Sequence, residues 1–341
     1  MKAVALKAYL PIQNPESLLD VRLEKPTPAG RELLIAVKAI AVNPVDTKVR
    51  APKNKIETDF RVLGWDAVGT VIATGPNASL FKAGDKVYYA GSIARPGSNS
   101  EFHTVDERIV GNKPKSLTNA EAAALPLTTI TAWEGLFDRL HISHDKNSKP
   151  KTLLIIGGAG GVGSIAIQLA KALTNVKVIA TASRTESIDW CRSLGADLVI
   201  DHSASLVEQV RTHNIQQVDY IFCLNNTDQH WQAMAELIKP QGHICSIVEL
   251  SGQVDLNLLK NKSVSFTWEL MFTRSLFETE DMIEQHHLLN RVAELIDKGA
   301  IKTTLNHVLS PINAENLRSA HAQLESGRTV GKVVLEHWPA N

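Results

Sequence analysis

Between Thr152 and Lys171 the chain reads TLLIIGGAGGVGSIAIQLAK, an apolar run, a glycine-rich turn and a helical pattern in immediate succession. Gly158, Gly160 and Gly163 fit the spacing G-x-G-x-x-G, which makes the turn Gly158, Ala159, Gly160, Gly161, Val162, Gly163 a candidate dinucleotide cradle. Each glycine has a mechanical reason: one makes the tight turn, one leaves the backbone bare against a pyrophosphate, and one lets helix and strand cross closely. Amides at the helix N-terminus then point at the anion. The next strand run ends in Ala182, Ser183 and Arg184, where a fold selecting NAD places Asp or Glu on the ribose 2′-hydroxyl. A hydroxyl and a guanidinium suit a 2′-phosphate instead, so the expected ligand is NADPH, held there by Ser183 and Arg184.

The elements that must position this turn are legible around it. From Lys151 the pattern alternates: TLLIIGG, a helix over 162–173, VKVIATAS, a helix over 185–194, DLVID, a helix near 206–211, VDYIFCL, a helix around 231–238, and HICSIVEL. Apolar strands alternating with amphipathic helices imply right-handed crossovers and a doubly wound parallel sheet covered on both faces, an α/β fold. From Met1 to about Leu125 the segments are short, β-rich and broken by Gly and Pro, with strands expected at ELLIAVKAIAV, VGTVIATG and DKVYYAG. Toward the C-terminus the texture is mixed, with a helix over 282–298 and a closing strand GKVVLEH. The polar stretch KNSKP at 146–150 is the candidate linker.

Composition bounds the function. The 341 residues carry 36 Lys+Arg against 36 Asp+Glu, 44% hydrophobic residues and three cysteines. Such a length suggests two domains, each with a full core. Balanced charge argues against nucleic acid or an anionic membrane as partner. Cys191, Cys223 and Cys245 are too few for a disulfide framework or a four-cysteine zinc site, so a reducing, cytoplasmic setting is expected. No uninterrupted apolar stretch is long enough for a membrane span. Adjacent His286 and His287 diverge on a helix and read as a solvated surface pair, while His141 and His144 have helix-compatible spacing but no third ligand. His243 and Cys245 read as sheet packing, and Cys191 as a small buried thiol. Trp65 and Trp268 suit either a pocket for a flat substrate or the core.

Several longer motifs, VNPVDTKVR (42–50), LGWDAVGTVIATGPNASLFKAGDKVYYAG (63–91), AAALPLTTITAWEGL (122–136), GGAGGVGSIAIQLAK (157–171) and GKVVLE (331–336), together resemble the medium-chain dehydrogenase/reductase superfamily. Within it the chain is most similar to the branch that is quinone oxidoreductase-like and zinc-type alcohol dehydrogenase-like. The resemblance spans essentially the whole chain and implies a GroES-like β-rich catalytic domain from residues 1–125 and 270–341. A Rossmann NADP-binding domain at 126–269 would be inserted between, with the nicotinamide in the cleft. Zinc-dependent members carry a ligand cysteine where this chain has Asn43, a ligand histidine at Trp65, and a third ligand at Leu127. An amide, an indole and an isobutyl group cannot hold Zn²⁺, so no metal is expected.

Without a Lewis acid, hydride from NADPH suits an acceptor that is already electrophilic, a quinone or an α,β-unsaturated carbonyl. The resemblance places Asn43 near the nicotinamide as the first candidate for positioning substrate or cofactor, followed by Thr128 and Thr131 of the LPLTTIT turn. Lys48 stands where related quinone oxidoreductases commonly carry tyrosine, so the tyrosine's role does not transfer. A lysine can still donate to an oxygen. Lys332 matches a basic position near the cofactor, and Asn225 follows the strand expected beneath the nicotinamide. The alternatives are a zinc-dependent alcohol or aldehyde dehydrogenase and a non-catalytic NADPH-binding protein. A homodimer through SVSFTWEL, the last strand of the sheet, is expected by analogy.

Overall fold

A computed structural model describes Met1 to Ala340, all of the chain except Asn341. Its contacts separate two units: Met1–Ile130 together with the chain from Phe272 on, and Thr131–Met271. The first unit begins with β1 (Lys2–Tyr9), β2 (Leu19–Arg22), β3 (Glu32–Ala41), α1 (Pro44–Arg50), β4 (Lys53–Val62) and β5 (Ala67–Thr74). It continues with β6 (Lys86–Tyr89), β7 (Phe102–Asp106), β8 (Val110–Asn112), α2 (Asn119–Ala123) and α3 (Pro126–Trp133), along which the chain passes into the second unit. There follow a π-helical turn (Glu134–Arg139), β9 (Lys151–Ile156), α4 (Gly161–Leu173), β10 (Val176–Thr181), α5 (Thr185–Ser193) and β11 (Leu198–Ile200). Then come α6 (Leu206–Thr212), β12 (Val218–Cys223), α7 (Thr227–Leu237), β13 (Ile238–Ser246), α8 (Asn257–Lys260) and β14 (Ser265–Trp268). The return to the first unit adds α9 (Thr273–Phe277), α10 (Glu284–Asp297), β15 (Leu305–Leu309), α11 (Ala314–Glu325) and β16 (Lys332–Glu336).

The second unit is a wholly parallel sheet in the order β11-β10-β9-β12-β13-β14. Leu153, Leu154, Ile155 and Ile156 of β9 are all fully buried, the consequence of a central strand covered on both faces. Strand order reverses between β9 and β12, so the loops leaving their C-terminal ends lie at the switch point where open α/β sheets bind ligands.

The first unit holds a three-stranded sheet, β2-β1-β4, and a larger one in the order β15-β16-β3-β5-β6-β8, with β7 paired to β3. Its decisive pairing is β16 against β3, with Val334 opposite Ala41 and Leu335 opposite Ile40. That register brings the start of the last strand to the segment that leads into α1.

Some local expectations shift. The stretch VNPVDTKVR, in the region read as strands, turns helical from Pro44: proline takes the first helical position, and the Asp46 carboxylate accepts the Asn43 N–H at 2.6 Å. The helix expected around 231–238 opens earlier, at Thr227, behind Asn226 in a left-handed conformation of φ 44. His286 is no solvated surface residue: its Nδ1 bonds Val110 O at 2.6 Å and its ring packs edge-on to Phe81, which ties α10 to β8, while His287 is exposed. His141 and His144 lie on an irregular segment, not a helix, with His141 at φ 53 and His144 stacked on Phe137. Trp65 is core, edge-on to Phe272, whereas Trp268 is 46% exposed. No helix among the described residues is long and apolar enough to cross a membrane.

Candidate functional site

The second unit assembles the glycine turn from three adjacent strand ends. Gly157, at φ 90, leaves β9 and donates its N–H to Thr181 Oγ1 at 2.9 Å, and Gly158 N–H donates to Thr181 O at 3.0 Å. Thr181 ends β10, so the turn is pinned to the strand that runs on into Ser183 and Arg184. The three fingerprint glycines then separate by environment. A Cβ on Gly163 would lie 2.4 Å from Gly157 O and 2.6 Å from Gly158 O, both backbone atoms. One on Gly158 would meet the Ala180 methyl at 2.8 Å. One on Gly160 would find only Gly157 O, at 3.8 Å. Gly163 and Gly158 therefore serve close packing of the protein itself, and Gly160 leaves open space. Gly160 is also the N-cap of α4 and has no side chain with which to satisfy the helix's first amides. Those amides, carried by Gly161, Val162 and Gly163, have no side-chain cap, and a helix start of this kind favours an anion.

The other expected cofactor residues of the unit fall in two places: Ser183, Arg184 and Asn225 beside this turn, and Thr131 on α3. Ser183 and Arg184 are exposed where β10 gives way to α5. Asn225 is exposed beyond the end of β12, with its Cβ 3.4 Å from the point where a Gly157 side chain would begin. Thr131, on α3, is buried. Gly157 was not singled out from the sequence. The signal for it was the doubled glycine after an apolar run, because a left-handed residue must reverse the chain there.

In the first unit a buried polar centre joins four distant segments. Asp66 Oδ1 accepts the Leu127 N–H at 2.8 Å, capping α3 from across the fold. Asp66 Oδ2 accepts Asn43 Nδ2 at 2.8 Å and Lys332 Nζ at 2.9 Å. The Lys332 ammonium also donates to Asn43 Oδ1 and, at 3.1 Å, to Val42 O. Its three protons thus meet three oxygens in a site where Asn43, Asp66 and Lys332 are all buried. Lys332 turns its head group inward, and the Asn43 amide is spent on Asp66 and Lys332. Burial pushes the Asp66 carboxyl up, and the ammonium and the Asn43 hydrogen bond pull it back. Asp46 is raised to about 7, chiefly by burial, against the Asn43 N–H bond and Lys332. Thr128 is buried and donates to Leu125 O at 3.1 Å, and Lys48 is exposed on α1. The sequence singled out Asn43 and Lys332 separately; what it did not show was Asp66 as their common partner, the only visible sign being a lone acid in the apolar run LGWDAVG.

Two family profiles match: an alcohol dehydrogenase GroES-like domain over residues 29–125 and a zinc-binding dehydrogenase over 194–335. A zinc-type alcohol dehydrogenase-like protein of Staphylococcus aureus is 48% identical over 98% of this chain and 99% of its own length. A 2-methylene-furan-3-one reductase of tomato, Solanum lycopersicum, is 32% identical over 90% of this chain and 72% of its own. Among solved structures, an Escherichia coli quinone oxidoreductase complexed with NADPH superposes with a TM-score of 0.80 at 26% identity, covering 98% of this chain and 100% of that one. The chain belongs to the medium-chain dehydrogenase/reductase superfamily.

Membership makes this an oxidoreductase fold with a nicotinamide cofactor. It also gives the buried centre a second meaning, because Asn43, Trp65 and Leu127 are the positions at which the sequence resemblance leads one to look for zinc ligands. Here Asn43 is bonded to Asp66 and Lys332. The Trp65 indole donates to Ser92 O at 3.1 Å, and Leu127 contributes its backbone N–H. No three His, Cys, Asp or Glu side chains among the described residues gather as a metal set.

Proposed function

We propose that this medium-chain dehydrogenase/reductase is an NADPH-dependent reductase that delivers hydride to a quinone or an α,β-unsaturated carbonyl without zinc. The observation that carries the reading is the Lys332 ammonium, held by oxygens of Val42, Asn43 and Asp66. A cation already uses the Asn43 and Asp66 oxygens, and no thiolate or imidazole stands beside them, so the donor set does not fit Zn²⁺. Resemblance to the tomato furanone reductase and to the NADPH-complexed quinone oxidoreductase supports the same reading.

The open face at Gly160 and the uncapped start of α4 fit a dinucleotide. In this reading the amides of Gly158 to Gly163 hold its pyrophosphate, Ser183 and Arg184 take the 2′-phosphate, and Asn225 and Thr131 border the remainder. When bound, the reduced nicotinamide supplies a hydride. The chain's part is to orient an acceptor and to stabilise the oxygen that gains charge. Among the residues expected to act on substrate, Lys48 is the exposed cation. Thr128 offers a hydroxyl beside the Leu127 cap, and Asn43, closed in its hydrogen bonds with Lys332, acts by fixing the start of α1.

Purified protein given NADPH and a simple quinone should consume the cofactor with a chelator present. Loss of turnover on chelation, restored by zinc, would sink the zinc-free reading. Arg184→Ala should raise KM for NADPH roughly 10- to 100-fold, the worth of a charge-assisted hydrogen bond of about 1.5–3 kcal/mol, with kcat and use of NADH unchanged. An equal loss with both cofactors would return the NADP preference to open question.

Two copies are further proposed to pair through β14. This strand has a partner on one side only, and Trp268 and Leu270 stand 46% and 51% exposed at its end. Sedimentation of Trp268→Lys should show a monomer where the native chain sediments as a dimer; a native monomer would dismiss the pairing.

A further inference from the structure

The two segments that meet at Lys332 are tied together a second time, at their far ends, by a buried histidine that the reductase reading leaves unused. Asn43 stands at the start of α1 and Arg50 closes it; Glu325 closes α11, and the chain then runs on to Lys332 at the start of β16. Arg50 is 1% exposed and reaches three acceptors. Its Nη1 donates to Leu10 O at 2.6 Å, its Nη2 pairs with the Glu325 carboxylate, and its Nε donates to Nδ1 of His321, on α11, at 3.3 Å. The His321 ring is fully buried.

Hydrogen-bond chemistry fixes the state of that ring. A guanidinium has only donors and keeps its proton at every working pH, so Nδ1 must be the bare nitrogen and Nε2 the protonated one. His321 is therefore a neutral imidazole. Its Nε2 has no hydrogen-bond partner among the described residues. A proton added at Nδ1 would set a donor against a donor, and neither nitrogen of the resulting cation would have an acceptor. Arg50 is the charge that acts on the ring. On the histidine's own helix, Glu325 faces Arg50, and Arg318 faces the carbonyls of Pro15 and Leu18. On α1, Asp46 takes the Asn43 N–H and Lys48 is exposed. On β16, Lys332 turns to Val42, Asn43 and Asp66, and Glu336 to His337.

We propose that His321 is an acid-sensitive latch between α1 and α11, closed while its imidazole is neutral and released when a proton reaches Nδ1. It acts as a positioning residue. By holding Arg50 it fixes the end of the helix that begins at Asn43, and by its place on α11 it fixes the approach to Lys332. Burial first, then the neighbouring guanidinium, holds the imidazole down from 6.5 to about 3. Because the folded-state value is the lower one, the contribution of the latch is complete above about pH 6.5 and is lost progressively as the pH falls toward about 3.

Urea titrations of the full chain at about pH 7 and about pH 5 measure this against His321→Asn, whose amide oxygen replaces Nδ1 as acceptor and does not titrate. Across that interval the folding constant of the native chain should fall about 20-fold more than that of the variant. His103 and His230, whose imidazoles burial also holds down, are present in both chains and cancel. His321→Gln serves where the asparagine variant does not fold. Hydrogen exchange over the same interval should show protection in residues 44–50 and 314–325 falling together in the native chain and holding in the variant. Nitrogen-15 spectra of the native protein need no variant: the His321 ring should still be neutral at about pH 5, with its proton on Nε2. Parallel pH profiles for the native and variant chains, or a His321 ring that titrates at the ordinary histidine value, would overturn the latch.

Discussion

Replacing Lys332 by methionine should lower the free energy of unfolding by about 3–5 kcal/mol, the cost of stranding the partner of a buried ion pair. Methionine has nearly the reach of the lysine stem, so packing survives and the loss isolates the charge. What remains is Asp66, buried, with two hydrogen-bond donors and no cation. The deficit should therefore depend on pH with a definite sign. In the variant the folded-state value of the Asp66 carboxyl rises further above its unfolded value, so stability is retained at low pH and lost as pH rises. Asp66→Asn leaves the opposite partner, a buried ammonium without its carboxylate, a cost borne only while the ammonium is charged, and its stability should improve as pH rises. Urea titrations of both variants at about pH 5 and about pH 8 should give deficits that change in opposite directions. Parallel pH profiles, or a Lys332→Met deficit below about 1 kcal/mol, would show that the two groups do not act as an ion pair.

That centre also marks where the sequence stops being readable. The parallel sheet could be read because its signals are local: the run Leu153–Ile156 is apolar throughout, and the glycine turn and the end of β10 follow at fixed spacing. The β-rich character of the other unit was legible in the same way from its short runs and turn residues. Contacts between segments far apart in the chain were not. Asn43 and Lys332 bond across 289 positions, and no periodicity encodes that separation; it follows from the pairing of β16 with β3. The family resemblance named both residues but not the Asp66 oxygen that holds them together. His286 misled for a related reason. Its neighbour His287 is exposed, and only the packing of α10 on β8 decides which of two adjacent histidines is half-buried and bonded.

Among residues that were legible, the structure divides what the pattern treats as equivalent, and the division can be measured. Gly163→Ala should cost about 1–3 kcal/mol of stability, because its methyl would stand 2.4 Å from Gly157 O and backbone cannot move aside as a side chain can. Lifting α4 off the turn also displaces the amides that would meet the pyrophosphate, so NADPH binding should fall with it. Gly160→Ala should behave differently. Gly160 has φ −71 and ψ 175, ordinary for any residue, and its methyl would find nothing nearer than 3.8 Å. Its stability cost should stay below about 1 kcal/mol, the penalty of alanine at an N-cap. The methyl would nevertheless project into the open space that a phosphate must share with bare backbone, so NADPH affinity should drop about tenfold or more, roughly 1.4 kcal/mol. Thermal melts with and without NADPH separate the two cases. Gly163→Ala should melt low in both conditions, and Gly160→Ala should melt near the native chain alone but lose the upward shift that the ligand gives. A Gly160→Ala protein that NADPH stabilises as fully as the native one would mean that the open face at this turn is not where the dinucleotide lies.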